Sequence, residues 1–193
     1  MRIITGKYKG RHFEVPRSFK ARPTTDFAKE NIFNVLRAYV DFEQTSALDL
    51  FGGTGSISLE LLSRGCRRVV TVEKDRQHHA FIAQCARKLG DAAWVPLCGD
   101  ALRFVERGHE PFDLIFADPP YALPELPELP ERVMRSGLLA PGALFVLEHG
   151  KGQDFSSRPD FLEHRAYGSV NFSLFRAPGV AEPHTHEPSG PEP

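Results

Sequence analysis

Ala47-Leu48-Asp49-Leu50-Phe51-Gly52-Gly53-Thr54-Gly55 is the stretch on which the fold turns: an apolar run ends at an aspartate, a glycine turn follows, and a helical pattern begins at Ser56. A strand feeding a helix through glycines opens a doubly wound sheet, whose ligands sit at the carboxyl ends of the strands. The spacing predicts a strand over 47–50 and a helix over 56–64 stopped at Gly65. Downstream the alternation repeats: Arg68–Glu73 as strand, Arg76–Leu89 as a helix ended by Gly90, 94–97 as strand, and Ala101–Arg107 as a short helix. Phe112–Ala117 is read as strand, 129–134 as helix and 143–148 as the fifth strand, which specifies an α/β, Rossmann-like parallel sheet covered on both faces. Phe161–Tyr167 and 170–175, parted by Gly168-Ser169, predict an antiparallel hairpin closing one edge.

Upstream, Ile3-Ile4-Thr5 and His12-Phe13-Glu14-Val15 flank a glycine-bounded turn and predict a β-hairpin arm within 1–24. The main domain is expected over 25–177. It starts with a helix that has three candidate caps, Thr24, Thr25 and Asp26, and carries Ile32, Val35, Leu36 and Tyr39 at helical spacing. The last stretch, 178–193, holds five prolines and three glutamates and is expected to be disordered.

The 193 residues are 41% hydrophobic and 25% charged, which suits one globular domain. No apolar run approaches the roughly 20 residues of a membrane span, and the first ten lack a signal core, so a cytoplasmic monomer without membrane contact is expected. Cys66, Cys85 and Cys98 form no C-x-x-C pair and are read as buried thiols; the histidines, His78 and His79 among them, are read as solvated, and no metal site is expected. The net charge of −1 conceals an asymmetry, because the first 22 residues carry seven Lys or Arg against Glu14 alone. A basic arm on a near-neutral chain suits an anionic polymer, since each neutralised phosphate releases counterions; a solvated basic surface is the plainer alternative.

The glycine turn lacks the G-x-G-x-x-G spacing of dinucleotide folds, because Ile57 stands where the third glycine belongs. Asp49 beside it would repel a pyrophosphate. S-adenosylmethionine (S-adenosyl-L-methionine), with an ammonium, a sulfonium and no phosphate, fits the charge better. Glu73 ends the second strand 21 residues after Gly52, placed to accept from a ribose diol or to cap a helix. Asp100, in Gly99-Asp100-Ala101, suits an adenine amine, helix capping, or both.

Asp118-Pro119-Pro120-Tyr121 directly follows the fourth strand. The prolines offer carbonyl acceptors on a fixed backbone without N–H donors, Asp118 adds a carboxylate, and Tyr121 offers a flat face for a base. Two acceptors can hold both hydrogens of a base amine and turn its lone pair out of conjugation. An ordinary strand-ending turn is the plain alternative.

With these residues in hand, the chain resembles class I methyltransferases carrying the D-P-P-Y motif, and more narrowly the RsmD family of 16S ribosomal RNA guanine-N2 methyltransferases. The resemblance covers about residues 1–176. It rests on 2–10 (Arg-Ile-Ile-Thr-Gly-Lys-Tyr-Lys-Gly), Arg22-Pro23-Thr24-Thr25-Asp26, Phe33-Asn34-Val35-Leu36, Asp49-Leu50-Phe51, Gly99-Asp100-Ala101 and Asp118 to Tyr121. It implies that Asp49, Phe51, Gly52, Gly53, Gly55, Glu73, Lys74, Asp100 and Ala101 hold the methyl donor, and that Asp118, Pro119, Pro120 and Tyr121 hold the acceptor. Arg2, Lys7, Lys9, Arg11, Arg22 and Thr24 are implied to touch RNA, with 16S rRNA or a small-subunit assembly particle as partner. Gly52 and Thr54 replace the family's usual Ala and Ser, and Phe27 replaces a frequent basic residue. Rival readings are a D-P-P-Y methylase of DNA adenine N6 or of a protein glutamine amide, a non-catalytic RNA-binding scaffold, and a nicotinamide oxidoreductase.

Overall fold

The computed structural model describes residues 1–19 and 24–179. Lys20, Arg22 and nearly all of the expected tail lie outside the described residues. The elements are α1 (Asp26–Leu36), β1 (Ser46–Asp49), α2 (Ser56–Ser63), β2 (Arg68–Glu73), α3 (Arg76–Leu89), β3 (Trp94–Cys98), α4 (Ala101–Arg107), β4 (Phe112–Ala117), α5 (Leu129–Arg135), β5 (Leu139–His149), β6 (Phe161–Tyr167) and β7 (Val170–Arg176).

The seven strands lie in the order β3-β2-β1-β4-β5-β7-β6. The first five are parallel, and β7 runs antiparallel to both β5 and β6. The strand order reverses between β1 and β4, the switch point at which such sheets open a crevice.

Alternation along each strand divides the core into two layers. Ala47, Val69, Leu114 and Val146 pack with α1, α2 and α3 on one face. Leu48, Val70, Ile115 and Phe145 pack with α4 and α5 on the other. Local signals end the helices. Thr25 caps α1 by accepting from the Ala28 N–H, Asp75 caps α3 through the Gln77 and His78 N–H groups, and Gly90 closes α3 at φ 69°.

Four expectations need correction. The N-terminal hairpin pairs without forming extended strands: an antiparallel bridge joins Arg2 and His12, Ile3 N–H donates to the Arg11 carbonyl (3.1 Å), Gly10 N–H to that of Ile3 (3.0 Å) and Phe13 N–H to that of Met1 (2.9 Å), while the remaining donors turn to α2. Ile4 N–H donates to Glu60 Oε1 (2.5 Å), Lys7 N–H to the Ser63 carbonyl (2.7 Å) and Tyr8 N–H to Ser63 Oγ (3.0 Å), while Ile3 is buried in the α1–α3 layer. The fifth strand starts at Leu139 rather than 143, since an irregularity between Phe112 and Leu114 absorbs Pro141-Gly142, with Gly142 at φ 72°. Cys98 is exposed at the end of the edge strand β3, and only Cys66 and Cys85 are buried. His78 is half-buried rather than solvated, its ring 4.2 Å from that of Phe19. Among the described residues no helix is long and apolar enough to cross a membrane.

Candidate functional site

A cavity of about 1620 Å³ opens over the carboxyl ends of the parallel strands. Its walls come from the turn after β1 (Phe51 to Thr54), the end of β2 (Glu73, Lys74), the turn after β3 (Gly99 to Leu102) and Asp118 to Tyr121 after β4. Thr24 and Thr25, Glu148 of β5 and the β6–β7 turn close it.

The glycine turn is tightly built. A Cβ on Gly52 would stand 2.4 Å from Thr71 Cγ2, so β2 leaves room for hydrogen only. Gly53 has φ 55°, and a Cβ there would meet nothing nearer than 3.9 Å, which leaves its outer side open. Phe51 is held at φ 146°, a strained backbone for a residue with a side chain, of the kind that concentrates at ligand clamps. Glu73 ties the turn down: Oε2 accepts from Gly53 N–H and Oε1 from Asp75 N–H, both at 2.7 Å.

Asp100 divides its oxygens between two tasks. Oδ1 caps α4 through Arg103 N–H (3.1 Å) and Oδ2 pairs with Lys74 Nζ (3.0 Å), and the Lys74 hydrogen bond holds its carboxyl below the usual range.

Asp49 and Gly55 depart from expectation, because neither lines the cavity. Asp49 is 1% exposed beneath the turn, accepting from Ser58 Oγ at 2.6 Å. Burial pushes its carboxyl up to about 6, against the opposing Ser58 hydrogen bond. Gly55, at φ 80°, caps α2 and packs toward Trp94 and Ile82.

At the other end of the cavity Asp118 meets Glu148. Ala117 pairs with Leu147 across β4 and β5, so the next residues leave neighbouring parallel strands at the same level. Thr24 Oγ1 donates to Glu148 Oε2 at 2.8 Å and lies 3.3 Å from Asp118 Oδ2; Tyr121 OH donates to Glu148 Oε1 at 2.9 Å. The Tyr121 ring, 48% exposed, lies against Gly150, where a Cβ would stand 3.0 Å from its Cδ2. Burial, then the Glu148 charge and then Asp49 raise the Asp118 carboxyl well above the usual carboxylate range. Burial also raises Glu148, which the hydroxyls of Thr24 and Tyr121 partly offset. Two carboxylates this close share a proton and titrate as a pair. Among the described residues neither has an ion-pair partner, and no group of acidic, histidine and cysteine side chains there could hold a metal.

Thr24, expected to touch RNA, lines the cavity inside the acidic cluster. Glu148 was missed from sequence. Its signal was available, since it is a carboxylate at the end of a strand, like Asp49 and Glu73. Of the basic arm, Lys7 pairs with Asp91 (2.9 Å), Arg2 lies 3.7 Å from Asp26, Arg11 sits over the Tyr8 ring, and Lys9 is exposed.

The strand order and the cleft over the switch point define the class I methyltransferase fold, and solved relatives share it. The Escherichia coli protein yhhF superposes with a TM-score of 0.81 at 27% identity, covering 93% of this chain and 98% of that one. A Thermus thermophilus hypothetical protein superposes with a TM-score of 0.75 at 33% identity, covering 91% and 98%. The family model described as conserved hypothetical protein 95 matches residues 1–176, and the chain belongs to that family, the RsmD family. The ribosomal RNA small subunit methyltransferase D of Escherichia coli K12 is 35% identical over 187 residues, spanning 94% of this chain and 92% of its own.

Proposed function

We propose that the protein transfers a methyl group from S-adenosylmethionine to the exocyclic N2 amine of a guanine in small-subunit (16S) ribosomal RNA. The observation that carries this reading is the Asp118–Glu148 pair at the cavity mouth, buried, held by hydroxyls and without a cation. Such a cluster suits a ligand that brings hydrogen-bond donors. The E. coli relative's name supplies small-subunit ribosomal RNA as the substrate.

The residues around the glycine turn fit the donor. The cavity wall carries Glu73, Asp75, Asp100, Asp118, Glu125 and Glu148 against Lys74 and Arg76, and Lys74 is already spent on Asp100. That balance suits a cationic ligand and opposes a pyrophosphate. S-adenosylmethionine brings an electrophilic methyl on a sulfonium. Glu73 would accept from its ribose hydroxyls with the lone pairs left over from Gly53 and Asp75. Asp100 and Ala101 would flank its base, with Phe51, Gly52 and Gly53 as backbone floor and Asp49 acting from beneath through charge.

Asp118 and the Pro119 carbonyl accept the two amine hydrogens, turning the nitrogen lone pair toward the glycine turn. Pro120 stiffens the cradle. Tyr121 stacks on the base, a contact worth about 1–3 kcal/mol, and its hydroxyl bond to Glu148 fixes the ring beforehand. As the N–C bond would form and the methyl's bond to sulfur break, leaving a neutral thioether, the amine's surplus proton has the Asp118–Glu148 pair within reach. Positioning and a preset field supply the acceleration. The basic residues Arg2, Lys7, Lys9, Arg11 and Arg22 would meet the RNA backbone, and the base must be unpaired or flipped to reach the mouth.

Labelled methyl transfer from S-adenosylmethionine to unmodified small-subunit RNA and particles, followed by nucleoside identification, tests the proposal. N2-methylguanosine is the expected product. Label in DNA or protein alone would move the substrate to a rival D-P-P-Y chemistry, and donor binding without transfer would favour a scaffold.

A further inference from the structure

We infer that Glu148 reads the N1–H of the target guanine, which makes it the residue that separates guanine from adenine at this site. The inference rests on the guanine-N2 reading and adds a second contact to it. Glu148 ends β5 beside Asp118 and is 4% exposed, yet it lines the cavity. Each oxygen accepts one hydroxyl, Oε1 from Tyr121 at 2.9 Å and Oε2 from Thr24 at 2.8 Å. A carboxylate has about four lone-pair sites, so acceptor capacity remains on both oxygens after those bonds. Both hydroxyls give their hydrogens to the carboxylate, so they leave the cluster an acceptor surface. Asp118 beside it shares one proton with Glu148, the lone pairs that this proton leaves free on the pair extend the acceptor surface, and Asp49 adds negative field from the end of β1.

The Watson–Crick edge of guanine carries two adjacent donors, N1–H and the N2 amine. Adenine offers an amine next to a bare N1 acceptor, which would face a carboxylate lone pair. Two carboxylates leaving neighbouring strands at one level therefore match guanine and reject adenine. Asp118, with Pro119, takes the amine that is methylated, and Glu148 takes N1–H. A buried acceptor left facing an acceptor is penalised heavily, the asymmetry that makes hydrogen-bonding sites selective.

The test uses the full chain with small-subunit RNA whose methylated guanine, once mapped, is replaced by 2-aminopurine. That base keeps the 2-amine but presents N1 as an acceptor. Wild-type kcat/KM should fall roughly a hundredfold on 2-aminopurine RNA, the scale of one specific base contact. Glu148→Gln should reverse the preference, because its amide can donate to N1: guanine RNA slows about a hundredfold and 2-aminopurine RNA recovers at least tenfold. Donor affinity, measured alongside, should match wild type, and the variant should be no less stable to heat than wild type. If Glu148→Gln slows both RNAs equally, or wild type treats them alike, Glu148 only supports Tyr121 and the inference is wrong. Absence of N2-methylguanosine in the wild-type reaction overturns the underlying reading instead, a different and separable result.

Discussion

Two clusters of buried charge flank the start of α2, and they follow opposite rules. In the first, Lys29 (1% exposed) meets Asp26 at 3.5 Å and Glu60 (0% exposed) at 3.7 Å, Arg64 closes on Glu60 from one turn further along, and Lys29 also donates to Ser56 Oγ and the Arg2 carbonyl. In the second, Asp49, Asp118 and Glu148 gather at the ends of β1, β4 and β5 with hydroxyls in place of cations. A balanced buried cluster is complete in itself and fixes geometry, here the seat of the N-terminal arm on α2. An unbalanced one costs stability as it stands and is the kind of arrangement found where chemistry is done. The contrast separates the part of the molecule that holds the arm from the part that meets the ligand.

The largest effect should come from breaking the balanced cluster. Glu60→Ala leaves the Lys29 ammonium short of its buried counter-charge and the Ile4 N–H without an acceptor, and should cost about 3–5 kcal/mol in denaturant unfolding. A loss under about 1 kcal/mol would mean the two clusters differ little.

Asp49→Asn probes the other rule. The folded carboxyl lies at about 6 against an ordinary 3.8, so ionisation opposes folding; the penalty is absent below 3.8 and complete above about 6. That shift is worth about 3 kcal/mol at most. The melting temperature of the variant minus that of wild type should therefore rise from pH 4 to pH 6 and level off above. A difference that is flat with pH would place the charge in solvent.

Lys9→Ala should do least. The side chain is exposed, so stability should not move, while RNA affinity should lose about one unit of its logarithmic salt slope. An unchanged slope would remove Lys9 from the RNA surface.

The same division explains what was legible in the sequence. Helix α3 was readable end to end because its stops are local, Asp75 before it and Gly90 after it. β2 and β4 were readable because their apolar runs are bounded by turns. The arm's seat on α2 was not, because Glu60 and Ser63, more than fifty residues away, take the Ile4 and Tyr8 N–H groups. The extra length of β5 was hidden by Pro141-Gly142, a turn signal that the structure uses as a bulge. At the site, residues contiguous in sequence, Asp118 to Tyr121, could be found together. Thr24 and Glu148 complete the cluster from 94 and 30 positions away: the sheet's register brings in Glu148, and the packing of α1 on the sheet brings in Thr24.

The central claim is that Asp118 and Glu148 serve the acceptor while the glycine turn, with Asp49 beneath it, serves the donor. Asp118→Asn keeps the shape and removes the charge. The measurement is methyl transfer to small-subunit RNA by this variant beside calorimetric titration with S-adenosylmethionine. The account predicts donor affinity within about threefold of wild type and turnover lowered by roughly 10²–10³. Donor affinity and turnover falling together would place Asp118 in the donor site and contradict it, as would transfer at the wild-type rate.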